Sequence, residues 1–319
     1  MKVLVTGARG MLGGAVARAL AARGDDVTVL QRRPSGLRHR EVLADVADPA
    51  AVRAAVTGQD AVVHLAAKVD IQGRYRDFAR VNITGTRNVV SACRHEGVAR
   101  LVHVSTPAVA HHGTALVGAP AGPADPRSAR GHYARSKAAA EWVALAADAA
   151  PDGPATAVVR PHLVWGPGDT QLIGRIVARA RAGRLPVVGS GAALIDTTYV
   201  TNAADALVAA LDRCAAARGQ ALVVSNGEPR PVAELLTAIC RAAGAAPPRR
   251  SVPRSVAFGA GAVVEALWSG RGEPPMTRFL AEQLSTAHWF DQRRTREVLR
   301  WTPRVSIAEG LAALARHGA

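Results

Sequence analysis

The stretch Lys2-Val-Leu-Val-Thr6-Gly7-Ala-Arg9-Gly10-Met11-Leu12-Gly13 decides the fold. A short run of Val and Leu meets three glycines at G-x-x-G-x-x-G spacing, and an Ala-rich amphipathic stretch, 11–23, continues from them. In a strand–turn–helix unit of this kind the first glycine turns the chain tightly. The second lets a pyrophosphate approach the backbone, and the third packs the helix onto the sheet. The helix start also offers free N–H groups to phosphate. Gly7, Arg9, Gly10, Met11 and Leu12 are therefore the expected phosphate end of a dinucleotide site.

Working outward, apolar runs at 27–31, 42–44, 61–66, 101–105 and 155–160 alternate with helical stretches at 49–57, 76–96 and 133–149. Continuously apolar strands between helices imply a parallel, doubly wound α/β sheet, a Rossmann fold with helices on both faces. The Pro-, Gly- and Ala-rich segment 119–130 reads as a surface loop near the active site. Beyond Arg160, turn clusters fall at 166–169 and 189–191. One more strand and helix, 221–225 and 231–243, should flank the sheet edge. From Pro247 the tail is punctuated by proline and mostly helical. The expected division is 1–165 plus 193–227 for the dinucleotide, and 166–192 plus 228–319 for a smaller, mostly helical substrate lobe.

The chain has 319 residues, nearly half hydrophobic, and a formal net charge of +15. Lysine occurs only at Lys2, Lys68 and Lys137, so arginine carries the surplus, spread without aromatic interleaving. That pattern argues against a nucleic-acid groove. Cys93, Cys214 and Cys240 are far apart and odd in number, as expected of buried thiols in a reducing compartment. No His, Cys or carboxylate cluster has metal-ligand spacing, so no metal is expected. With a strand beginning at Lys2 there is no room for a signal peptide, and a soluble cytoplasmic protein is expected.

The second strand ends Gln31-Arg32-Arg33 with no carboxylate to accept from a ribose 2′-OH, and Arg9 can reach the same place. Arginines there suit a 2′-phosphate, which favours NADP(H) over NAD(H). Tyr133 and Lys137 are four residues apart on an expected helix, so they share a face. A phenol near pKa 10 exchanges protons poorly at neutral pH. A neighbouring ammonium and a positive nicotinamide favour its phenolate, which makes the pair suited to acid/base work.

On these residues the chain resembles the extended short-chain dehydrogenase/reductases over nearly its whole length. Further matching features are Asp45-Val46, His64-Leu65-Ala66-Ala67-Lys68, Val81-Asn82-Ile-Thr-Gly85, Val104-Ser105-Thr106-Pro107 and Arg160-Pro161. The resemblance implies that Thr106 polarises the substrate carbonyl, with Ser105 the runner-up, and that Tyr133 and Lys137 complete the catalytic set. It further implies that Asp45 and Val46 hold the adenine and that residues 65–68 and Val104 line the cofactor. Pro161, His162 and Leu163 would flank the nicotinamide. Ser105, Thr106, Pro107, Val164 and Trp165 would meet substrate. It also implies a homodimer through the helices 76–96 and 133–149, whose Ala and Val cover more than one face.

Later segments sharpen the resemblance: Asp196 to Asn202, Ser225 to Pro229, Gly272 to Phe279 and His288 to Asp291. They are similar to the 3β-hydroxysteroid dehydrogenase group, and within it to bacterial reductases of olefin biosynthesis that act on 2-alkyl-3-oxoalkanoic acids. Three readings follow: a long-chain keto-acid reductase, a steroid dehydrogenase, and a non-catalytic NADP-binding sensor. The intact Tyr133 and Lys137 speak against the sensor. Val164, Trp165, Phe258, Val263, Leu267 and Trp268 are expected either to line an apolar pocket or to pack in the core, and 256–268 to cover acyl chains or rest on a membrane surface. Plainer roles are expected elsewhere: His64 as a satisfied core histidine, His111 and His112 as a solvated loop pair, and Gln292-Arg293-Arg294 at the surface. Asn82 is balanced between a local backbone partner and a proton relay.

Overall fold

Seven strands, β1 (Lys2–Thr6), β2 (Asp26–Gln31), β3 (Arg40–Leu43), β4 (Ala61–His64), β5 (Arg100–Val104), β6 (Ala155–Pro161) and β7 (Ala221–Val224), form one sheet in a computed structural model. The structure describes residues 1–70, 73–111, 113–267 and 277–317. The sheet order is β7-β6-β5-β4-β1-β2-β3, and every neighbouring pair is parallel. Side chains alternate across it. Val3 and Val5 pack under helices α1 (Met11–Ala22) and α5 (Val200–Asp212). Leu4 packs on the other face with α2 (Pro49–Val56) and α3 (Gly85–His95), and α4 (Gly131–Asp148) reaches the same face through Ala147. Both faces are therefore dry, which is why the strands carry so little polar sequence. Each such Val or Leu contributes roughly 1.5–3 kcal/mol on burial. Cys93, Cys214 and Cys240 are buried thiols.

Two expected elements take a different form. The strand expected over 61–66 ends at His64, because the Thr6 hydroxyl takes the N–H groups of Leu65 and Ala66 at 3.1 and 3.0 Å. The helix expected over 76–96 is in three parts: Tyr75–Phe78, a π-helical stretch Ala79–Thr84, and α3. The wide turns carry Asn82, whose amide accepts from the Lys68 N–H at 2.7 Å and donates to its carbonyl at 3.1 Å. A π-bulge of this kind often marks a functional site.

A smaller sheet of Arg230–Pro231, Leu194–Ile195, His288–Phe290 and Leu116–Ala119 stands beside the main one. The β7 edge is closed by side chains from the C-terminal segment. Thr295 donates its hydroxyl to the Val223 carbonyl at 2.7 Å, and the Ser225 N–H donates to Gln292 Oε1 at 3.1 Å. Gln292 is thus buried, contrary to the surface expectation, because an edge strand needs its open backbone groups matched. Arg293 and Arg294 do lie at the surface.

Candidate active site

The cradle for a dinucleotide sits at the carboxyl ends of β1 and β4. Gly7 has φ +77°, and a Cβ there would lie 2.9 Å from the Ala66 backbone. A Cβ on Gly13 would lie 2.4 Å from the Gly7 carbonyl oxygen, so the helix can pack this closely only with glycine. Gly10 is different: its nearest atom would be 3.4 Å away, which leaves its outer side open. Helix α1 begins at Met11 with no capping side chain and no acidic residue in its first turn. Its free N–H groups face the open side of Gly10, so this cradle fits a pyrophosphate. Leu65, Ala66, Ala67 and Lys68 are half-buried beside it, pinned by Thr6 and Asn82.

At the end of β2, Gln31 is buried and donates to Glu41, whose carboxylate also accepts from the Ser35 N–H at 2.9 Å and hydroxyl at 2.7 Å. The Ser35 hydrogen bonds hold Glu41 below the usual carboxylate range. Arg9, Arg32 and Arg33 are exposed and form no ion pair among the described residues. Asp45 accepts from Ala47 N–H at 2.9 Å and from Arg80 at 2.9 Å. Burial pushes its carboxyl up, but those donors and the nearby Arg32 hold it below its ordinary value. Val46 is buried, pressed so close to Gly85 that a Cβ there would sit 2.7 Å from it.

The structure brings Thr106 and Tyr133 together. Thr106 leads the turn Pro107–Ala110, accepts from the Ala108 N–H at 3.3 Å and lies near the phenol. Both residues are half-buried. Burial pushes the Tyr133 phenol up to about 12, with the Thr106 side chain opposing. Ser105 is buried and its hydroxyl has no hydrogen-bond partner among the described residues, whereas Pro107 is packed away. One helical turn deeper, Lys137 donates to the Val104 carbonyl at 2.6 Å and lies 3.5 Å from His103 Nε2. Burial lowers its ammonium to about 8, with Glu141 opposing. His64 is the satisfied core histidine expected, bonded to Thr6 at 2.8 Å and Thr86 at 3.1 Å. Burial, then Lys137, lowers it to about 3, and the same causes keep His103 well below its usual value. Asn82 serves the Lys68 backbone and also donates to the Ser136 hydroxyl at 2.9 Å.

The expected substrate wall changes most. Pro161 and His162 are buried at the end of β6, and Leu163 follows at φ +43° with Val164 half-buried beside it. Trp165 is only 1 % exposed: it packs edge-on against Tyr199 and donates to Thr197 at 2.9 Å, which makes it core and not pocket wall. Val263 and Leu267 point outward instead of lining a pocket, and Phe258 packs on a small cluster with Ala257 and Ala281. His111 is buried and bonded to the Thr114 carbonyl at 3.1 Å, not solvated. His112, Trp268 and Gly272 to Met276 lie outside the described residues. The sequence reading also passed over His103, Glu141 and the inward role of Arg160. Only the i, i+4 spacing of Lys137 and Glu141 signalled any of them.

Residues 3–225 match the NAD dependent epimerase/dehydratase family, and the chain belongs to that family, within the extended short-chain dehydrogenase/reductases. Over 98 % of its length, and 98 % of the relative's, it is 43 % identical to a 2-alkyl-3-oxoalkanoate reductase of Stenotrophomonas maltophilia. Over 86 % of its length it is 30 % identical to the 3beta-hydroxysteroid-dehydrogenase/decarboxylase isoform 2 of Arabidopsis thaliana, covering 51 % of that protein. In fold it is similar to Pal from Bacillus thuringiensis, with TM-score 0.78 and 22 % identity, covering 99 % and 98 % of the two chains.

Proposed function

We propose that this protein is an NADP(H)-dependent oxidoreductase that reduces a long-chain 2-alkyl-3-oxoalkanoic acid to the 3-hydroxy acid. The reading is carried by the nearness of the Thr106 hydroxyl to the Tyr133 phenol, with Lys137 buried one turn below. The full-length likeness to a 2-alkyl-3-oxoalkanoate reductase supports the substrate class.

Gly7, Gly10, Met11 and Leu12 would hold the pyrophosphate, Arg9, Arg32 and Arg33 a 2′-phosphate, and Asp45 and Val46 the adenine. Gln31 shapes the same end. Residues 65–68, Val104 and Pro161 to Leu163 would border the ribose and nicotinamide. When bound, the nicotinamide supplies or accepts the hydride. Thr106 then polarises the carbonyl oxygen, and Tyr133 donates its proton to that oxygen as negative charge builds there. Lys137, protonated, favours the phenolate left behind until solvent restores the proton.

We divide the chain into 1–165 plus 193–227 for the cofactor and 166–192 plus 228–319 for substrate. Two copies would pair through α3 and α4, where Trp142 is half-exposed. The outward face of Arg254–Leu267, with Val256, Val263 and Leu267 exposed, suits contact with lipid. We place the protein in the cytoplasm.

The test is an absorbance assay of NADPH oxidation with a 2-alkyl-3-oxo acid, beside NAD+ reduction with a 3β-hydroxysteroid. Activity on the keto acid with NADPH is expected. Turnover of the steroid alone would transfer the assignment to the steroid dehydrogenases.

A further inference from the structure

Glu141 and Arg160 form an ion pair inside the protein, each side chain 1 % exposed. Arg160 Nε donates to Glu141 Oε2 at 3.0 Å and Nη2 donates to Oε1, a two-pronged grip. The third nitrogen, Nη1, donates to the carbonyls of Ala121 and, at 3.0 Å, Gly122. Trp142, next to Glu141, donates to the Ala124 carbonyl of the same loop at 2.8 Å. The far side of the loop rests on the turn that Thr106 opens. Asp125 N–H donates to the Val109 carbonyl at 3.1 Å, and a Cβ on Gly122 would lie 3.4 Å from Ala110 Cβ. Arg160 is the next-to-last residue of β6, which ends at Pro161 and leads into His162 and Leu163. One buried pair therefore joins the Tyr133–Lys137 helix, the Thr106 turn and the segment after β6.

We propose that Glu141 and Arg160 are positioning residues for this reaction, setting the depth of Tyr133 and Lys137 against Thr106 through the 121–125 loop. A buried pair is weak as a source of net stability, since apolar residues of similar volume often serve as well. Its retention needs another account, and three-way registration supplies one. The inference rests on the acid/base reading of Tyr133 and Lys137. Lys137 is faced by Glu141 and Tyr133 on its own helix, by His103 and the Val104 carbonyl on β5, and by His64 on β4. Arg160 stands behind Glu141.

The test compares wild type with the double variant Glu141→Leu/Arg160→Met, which removes both charges and keeps the volume. NADPH Kd and the melting temperature should stay near wild type, while kcat falls by at least roughly tenfold with a much smaller change in KM, as expected when reacting groups lose their alignment. The alkaline limb of the kcat profile should move to lower pH, because Lys137 loses the carboxylate that favours its ammonium. A folded double variant with wild-type kcat and pH profile overturns the proposal. If it does not fold, Arg160→Lys, which keeps a cation beside Glu141 but has fewer donors for the loop, should lower kcat several-fold. Unchanged kcat in that variant overturns the proposal as well. Tyr133→Phe separates the two readings. If it keeps its turnover, the acid/base assignment itself fails. If it loses turnover while the pair variants do not, only the positioning role fails.

Discussion

Asp196 and Lys137 are both charged groups taken into the interior, and their surroundings are opposite. Asp196 accepts from four donors: Thr197 N–H at 2.9 Å, Ser225 hydroxyl at 2.6 Å, Gly227 N–H at 2.9 Å and Glu228 N–H at 3.2 Å. Lys137 has one short bond, to Val104, and a long contact with His103. Asp196 therefore ties the stretch before Thr197 to the turn after β7, residues 225–228, with its polar capacity filled. Lys137 is left with few partners, and on the proposed reading a change in its proton occupancy acts on Tyr133. A filled buried charge does structural work, and a poorly filled one is available for chemistry.

The strongest way to sharpen this contrast is Lys137→Met. Turnover should fall by roughly 10²–10⁴-fold, the usual worth of acid/base catalysis. The melting temperature should hold or rise, since burial lowers the Lys137 ammonium to about 8, so at pH 7 the folded state disfavours the charge. A lower melting temperature with turnover intact would reverse the roles drawn above. Asp196→Ala should do the opposite. Four donors lose their acceptor, which costs at least about 3 kcal/mol in urea unfolding, and the molecules that remain folded keep most of their turnover.

Arg32→Ala probes a third kind of site, an exposed cation near the Asp45 carboxylate. NADPH should bind about tenfold more weakly, the size of one charge-assisted hydrogen bond, and NADH nearly as before. Equal loss for both cofactors would remove the 2′-phosphate reading. The smallest effect is in pH. With the Lys137 ammonium lost near 8, kcat for carbonyl reduction should stay level below that pH and decline above it. A profile flat to pH 10 would separate Lys137 from the reaction.

The legible parts of this molecule are those dictated by backbone. Gly7 and Gly13 sit where a Cβ cannot, and the alternation of Val3, Leu4 and Val5 follows from a sheet covered on both faces. That Tyr133 and Lys137 share one helix was legible from their spacing. Trp165, His111 and Gln292 were not, since their direction depends on Thr197, Thr114 and Ser225, partners that no local pattern reveals. Arg160 and Glu141 lie 19 positions apart, and only the folded chain shows them gripping one loop.

The closure of the β7 edge by Gln292 and Thr295 has a consequence for solubility. An open parallel sheet offers its outer strands to any passing chain, and at one side β3 is short and begins with exposed Arg40. At the other side the guard is nearly seventy residues further along the chain, so a nascent or clipped protein lacking 292–295 would present β7 bare. Loss of those few residues should let copies of the protein pair edge to edge through β7.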